Sequence, residues 1–204
     1  MTYSAGTNTI SAMTRADLNE VAAVHLRAYP DFFLSRLGLP FLRCLYEEIL
    51  NDPSGIVLVC RHNLKLQGFA AGTTEPRGFY GRLLLRRWHR FALASVLPVL
   101  RNPAIVPRLL NAFRKTKDEP DDGCGLFMSL GVDPQIQARG IGAALAHAFL
   151  AECRSRGLSS VHLTTDRFEN DRVNRFHSKV GFTISRVITT PQGREMNDYR
   201  IELT

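Results

Sequence analysis

Leu130-Gly-Val-Asp-Pro-Gln-Ile-Gln-Ala-Arg-Gly-Ile-Gly-Ala143 is the stretch on which the reading of this chain turns. Leu126 to Leu130 forms an apolar run suited to a buried strand. Ile141, Leu145, Ala148 and Phe149 then recur at helical spacing. The segment reads as strand, loop and helix start. A helix start leaves backbone N–H groups without intrahelical partners and carries partial positive charge, so a loop wrapped around it makes an anion site. Gly140 and Gly142 let the backbone approach a ligand closely, and Arg139 adds a permanent cation. The ligand this predicts is a pyrophosphate.

Two other phosphate motifs are excluded. No Gly-Lys-Ser/Thr follows four variable residues, as a P-loop requires. A dinucleotide fingerprint would need Gly or Ala at Leu145 and a tight turn directly off the strand. The spacing Val132, Pro134, Gln137, Gly140, Gly142 instead resembles the acyl-CoA signature Gln/Arg-x-x-Gly-x-Gly/Ala of the GNAT superfamily of N-acyltransferases.

Downstream, Gly157 after Arg154 and Arg156 is a helix stop, and Ser160 to Thr165 alternates as a strand. Asn170-Asp-Arg-Val-Asn-Arg-Phe-His-Ser-Lys-Val-Gly-Phe182 follows, with Val173, Phe176 and Val180 on one helical face and Gly181 as a left-handed cap. This resembles the second GNAT signature, Asn-x-x-Ala-x-x-x-Tyr-x-x-x-Gly-Phe. Val173 stands in place of Ala and His177 in place of the Tyr that, in the family, is thought to protonate the departing thiolate.

Thr9 to Met13 is a strand. Thr14-Arg-Ala-Asp17 opens a helix through Leu18, Val21, Ala22 and Leu26 that stops at Tyr29-Pro30. A second helix follows Pro40, and Asn51 to Gly55 is a turn. Ile56 to Arg61 and Leu66 to Ala71 make a hairpin around Asn63, and Thr183 to Thr189 with Met196 to Leu203 make a closing pair. The order is that of the GNAT fold: one α/β domain over residues 1–204, with a mixed, mostly antiparallel sheet flanked by helices.

Into this order is set a basic helical insertion at about 77–117. It holds ten Lys or Arg and no Asp or Glu, so the net charge of +7 becomes −3 without it. Leu83, Leu84, Trp88, Phe91, Leu93 and Val96 among the arginines predict an amphipathic helix broken by Pro98 and Pro103, with a short helix after Pro107. Three roles stay open for it. It is a flap with solvated arginines, a surface steering an acidic or phosphorylated substrate, or a peripheral contact with a membrane or acidic partner. No nucleic-acid module accompanies the charge.

Neither a signal-peptide core nor a run near the length of a membrane span is evident, so a cytoplasmic location is expected. Cysteines 44, 60, 124 and 153 are scattered and read as reduced, buried residues, with no metal site implied.

The resemblance implies acetyl-CoA as acyl donor and a primary amine as acceptor. The Leu130 N–H should meet the thioester oxygen, Val132 should pair with the pantetheine arm, and Asn170 should bind the pantetheine chain. Amides of Gln137, Ala138, Arg139, Gly140, Ile141, Gly142 and Ala143 should hold the pyrophosphate. The pantetheine should lie between strands splayed near Val132 and Thr165. His177 is the candidate general acid, a CoA contact without acid function, or an exposed helix residue. Glu75, His25, Asp166 and Glu195 are general-base candidates, none preferred. His25-Leu-Arg-Ala-Tyr-Pro30, Leu37-Gly38 and Phe41-Leu42 also resemble the N-terminal half of bacterial GNAT proteins encoded with surface-polysaccharide pathways, which implies an amino sugar, nucleotide-linked or free. The other reading is a degenerate GNAT-fold protein that binds acyl-CoA as a sensor or scaffold and docks through its insertion.

Overall fold

The first helix is entered through a reciprocal cap: the Asp17 carboxylate accepts from both the Thr14 N–H, at 2.7 Å, and the Thr14 hydroxyl, at 3.0 Å. The computed structural model describes residues 3–5, 8–103, 123–136, 140–190 and 193–203. Its strands are β1 Tyr3–Ala5, β2 Asn8–Ala12, β3 Gly55–His62, β4 Lys65–Thr73, β5 Cys124–Val132, β6 Ser160–Asp166, β7 Thr183–Thr189 and β8 Glu195–Glu202. Its helices are α1 Leu18–Ala28, α2 Gly38–Asn51, α3 Phe79–Arg101, α4 Ile141–Ser155 and α5 Asp171–Val180. The strands join in one sheet ordered β1-β2-β3-β4-β5-β6-β8-β7, in which only β5 and β6 are parallel. This is the expected mixed, mostly antiparallel sheet, with β1 added at its edge.

Side chains alternate across a strand, and β3 uses that alternation to serve two cores. Val57 and Val59 pack with Val21, Phe41 and Leu45 of α1 and α2 on one face. Ile56, Leu58 and Cys60 pack with Leu145, Phe149 and Cys153 of α4 on the other. Phe127 stacks on Phe149 with ring centroids 4.5 Å apart. All four cysteines are buried and free.

Three expectations need correction. α2 begins at Gly38 rather than after Pro40, because a proline in a first turn gives up an N–H that has no helical acceptor. α3 is not broken at Pro98 but runs on to Arg101, where the Asn102 N–H closes on Pro98 O at 2.9 Å; the distortion falls instead at Arg87, with φ −140° and ψ 35°. On α5, Val173 is exposed, and the buried residues are His177 and Val180. The short helix expected after Pro107 lies outside the described residues.

Candidate active site

β5 and β6 pair only at Cys124↔Ser160, Gly125↔Val161 and Leu126↔His162. Beyond that point they part, while β5 stays on β4 as far as Gly68↔Val132. A gap therefore opens between two parallel strands, along the half of β5 that the sequence singled out. Strand N–H groups alternate between the two neighbours. The Asp133 N–H donates to Gln67 O on the β4 side at 2.8 Å, so those of Val132 and Leu130 face the gap. A β-bulge between Ala71 and Gly72 sets this register.

Tyr29 reaches into the gap. Pro30 ends α1, and Tyr29 leaves helical geometry at φ −133° and ψ 61°. Its hydroxyl accepts from the Leu130 N–H at 3.2 Å and donates to Leu130 O at 2.5 Å. Burial pushes the phenol up to about 12, offset in part by the bond with Leu130, so the proton stays on at neutral pH.

One turn earlier, the His25 ring lies 5.0 Å from that of Tyr29 and stacks on Phe69 at 6.0 Å. Nδ1 of His25 is 2.7 Å from the Tyr46 hydroxyl, which also bonds the Ser129 side chain. Burial drives the imidazole down to about 4, leaving it neutral with Nε2 unbonded among the described residues. Gly131 lets β5 cross this cluster: a Cβ there would meet the Phe69 ring at 2.5 Å. Arg27 fastens α1 to the end of β5 through Asp133 at 2.7 Å. Burial raises the Asp133 carboxyl, but bonds from Arg27 and the Gln135 N–H hold it below the usual range.

The other expected residues divide. Gln137, Ala138 and Arg139 lie outside the described residues. Gly140 caps α4 at φ +69°, with nothing within 4 Å of a would-be Cβ. The N–H groups of Ile141, Gly142 and Ala143 are those of a first turn, without intrahelical acceptors. A Cβ on Gly142 would lie 3.5 Å from Phe176 and 3.8 Å from Val132, so the start of α4, the middle of α5 and the end of β5 meet there. Asn170 caps α5, donates to Asp166 O at 3.4 Å, and lines a cavity of about 590 Å³ with Asp166, Arg194 and Glu195.

His177 is buried among Phe176, Phe182 and Tyr199, with centroids 5.2, 5.8 and 6.0 Å away. The negative end of the α5 dipole favours an imidazolium there, but desolvation wins and lowers the pKa to about 4. It is not the exposed residue that one alternative allowed. Arginines hold three of the general-base candidates: Glu75 at 3.5 Å from Arg82, Asp166 at 2.6 Å from Arg194, and Glu195 at 2.9 Å from Arg167.

Sequence reasoning missed Tyr29, Tyr46 and Ser129. The four-residue spacing of His25 and Tyr29 puts them on one helical face and was a legible signal. Tyr46 and Ser129 gave none, since each is brought in by a different element.

Residues 107–182 match the Acetyltransferase (GNAT) family. Over 64 residues the chain is 41% identical to mycothiol acetyltransferase of Beutenbergia cavernae, a stretch that is 31% of this chain and 21% of that relative. A GNAT-family protein of Desulfovibrio desulfuricans superposes with a TM-score of 0.66 at 15% identity, over 97% of this chain and 99% of the other. The Salmonella typhimurium protein yncA, solved with its cofactor acetyl-CoA, superposes with a TM-score of 0.63 at 17% identity, over 98% and 95%. The chain thus has the GNAT acyl-CoA N-acyltransferase fold, and the stretch that matches the GNAT family runs from residue 107 to residue 182 within it.

Proposed function

We propose that residues 1–204 act as one acyltransferase domain, with an insertion at about 77–117, and transfer an acetyl group from acetyl-CoA to a primary amine in a ternary complex. The observation that carries the reading is the opening of β5 from β6 after Leu126, with the Leu130 N–H facing the gap. The local residues suit the donor. Val132 offers strand-like pairing to an amide-bearing arm, and Gly140, Ile141, Gly142 and Ala143 offer first-turn amides to a pyrophosphate. Asn170 offers a carboxamide at the mouth of a cavity.

A thioester supplies an already activated carbonyl, so the chain's task is orientation and charge stabilisation. The Leu130 N–H donates to the carbonyl oxygen as negative charge develops there. Tyr29, whose hydroxyl oxygen now accepts that same N–H, yields the position and keeps its proton within reach of the oxyanion and the leaving sulfur. As the amine nitrogen bonds to the carbonyl carbon and the C–S bond breaks, the sulfur takes the Tyr29 proton; the nitrogen's proton passes to solvent, from which Tyr29 is reprotonated. Tyr29 takes the acid role first expected of His177, because buried, neutral His177 is poorly placed to deliver a proton from an imidazolium. His177 then serves as a packing residue of α5, set against Phe182 and Tyr199.

An amino sugar, free or nucleotide-linked, is the acceptor class that this reading favours. Phe32 is 43% exposed on the α1–α2 connection, 6.2 Å from Tyr29, and gives a sugar ring an apolar face beside the reacting groups. The experiment is calorimetric titration with acetyl-CoA of the parent and of Gly142→Trp, followed by thiol release with a panel of amino sugars and simple amines. Micromolar binding lost in the variant, with turnover of an amine, supports the reading. A parent that binds no acyl-CoA overturns it.

A further inference from the structure

α3 buries Phe79, Leu83, Phe91 and Ser95 against the domain, with Phe91 5.3 Å from Phe41 of α2. Its other side is apolar as well. Leu93, Val96, Leu97 and Leu100, at i, i+3, i+4 and i+7, are 77%, 51%, 55% and 75% exposed. Leu85 at 80% and Trp88 at 65% are exposed as well, on either side of the distortion at Arg87. Burial in the core explains none of these six.

The charge around this face is one-sided. No acid occurs between Arg77 and Lys117. Arg87 and Arg90 reach back toward Glu48 at 3.8 Å, and Arg90 toward Glu47 at 2.7 Å, so they fasten α3 to α2. Arg86 and Arg101 are exposed on α3 and have no ion pair with a described residue. Where the apolar stripe borders the groove between α2 and α3, a cavity of about 840 Å³ collects Arg36 and Arg43 beside Leu93, Leu97 and Arg101. Arg36 and Arg43 likewise lack an ion pair with a described residue.

We infer that the exposed face of α3 docks on a bilayer rich in anionic phospholipid, with the leucines and Trp88 in the acyl boundary and the arginines at the phosphates. A stripe of four leucine and valine side chains on a convex helix offers little shape with which to specify a partner protein. A fluid bilayer demands little shape, and the long guanidinium chains snorkel to its headgroups. Arg36, Arg43 and Arg101 line the groove beside Arg90, which is held by Glu47 at 2.7 Å, and offer cations to a phosphate-bearing headgroup; no described helix is long and apolar enough to cross the membrane. The inference is independent of the acyl-transfer reading, since none of these residues belongs to the gap between β5 and β6.

Trp88 is the one tryptophan of the chain and reports directly. The full chain is mixed with vesicles of phosphatidylcholine with and without phosphatidylglycerol, at low and high salt, and followed by co-sedimentation and tryptophan emission. The expected result is a blue shift and partition only with the anionic vesicles, weakened by salt. Leu93→Glu with Leu97→Glu should abolish both while the thermal transition is kept. Arg86→Ala and Arg101→Ala, which leave the buried side of α3 untouched, should each weaken partition about fivefold at low salt. Three results would overturn the inference: no partition, partition unchanged in every variant, or a blue-shifted Trp88 in a self-associated protein without vesicles. Binding to an acidic polypeptide in place of vesicles would do so too.

Discussion

The Tyr29 hydroxyl closes both backbone groups of Leu130, taking its N–H at 3.2 Å and giving its proton to the carbonyl at 2.5 Å. A residue at the end of the first helix thereby stands where β6 would pair, had it not parted from the open half of β5. Any ligand that pairs with Leu130 must compete with it.

Tyr29→Phe separates binding from chemistry. Without the hydroxyl the ligand has nothing to displace, so acyl-CoA affinity should hold or rise. Turnover should fall by about a hundredfold, the low end of the loss of one general acid. Folding stability should drop by about 1–2 kcal/mol as Leu130 loses its partner. Equal turnover in the variant would remove Tyr29 from the reaction.

His177→Phe should leave the turnover number and its pH dependence unchanged between about pH 6 and 9, since the buried imidazole is already neutral there. An aromatic ring of similar size in place of a buried Nδ1 without a partner should be neutral or slightly stabilising, within about 1 kcal/mol. A lost alkaline or acidic limb in the profile would restore the acid role.

His25 and His177 also predict an acid weakness. Both are held near 4 by burial, against 6.5 for a free imidazole. Between those values the unfolded chain binds protons that the folded chain refuses. Stability is therefore complete above pH 6.5 and falls as pH drops toward 4, each histidine adding a slope approaching about 1.4 kcal/mol per pH unit. Urea midpoints measured across that window should follow this sign, and His177→Phe should remove about half of the slope.

Asn63 and Leu64 turn the β3–β4 hairpin at φ +48° and +66°, and Leu64 is 90% exposed. A leucine there bears the left-handed cost without packing in return. Leu64→Gly should raise stability by about 1 kcal/mol, read as a higher thermal midpoint.

Gly72 lies at the bulge between β4 and β5, where a Cβ would come within 2.2 Å of Leu126 O and 2.4 Å of the Phe149 ring. Backbone cannot step aside cheaply, so Gly72→Ala should cost about 3 kcal/mol, at the upper end of overpacking. A variant as stable as the parent would mean that the bulge relaxes freely.

The two glycine-bearing motifs, the hairpin around Asn63 and the apolar runs were legible because each is local. Period, turn chemistry and cap residues act over a few positions, and they set the strands, the helices and their order before any contact is known. The sequence could also show that residues 77–117 are basic and free of acids. Burial is different. That β5 leaves β6 after three residue pairs, that Tyr29 and not His177 carries a hydroxyl to Leu130, and that the two histidines are too desolvated to be charged are facts of packing. Each depends on elements up to about a hundred residues apart meeting at one point, as Tyr29 and Leu130 do. Only the tertiary structure fixes which groups lose water there, and loss of water decides which of them can hold a proton.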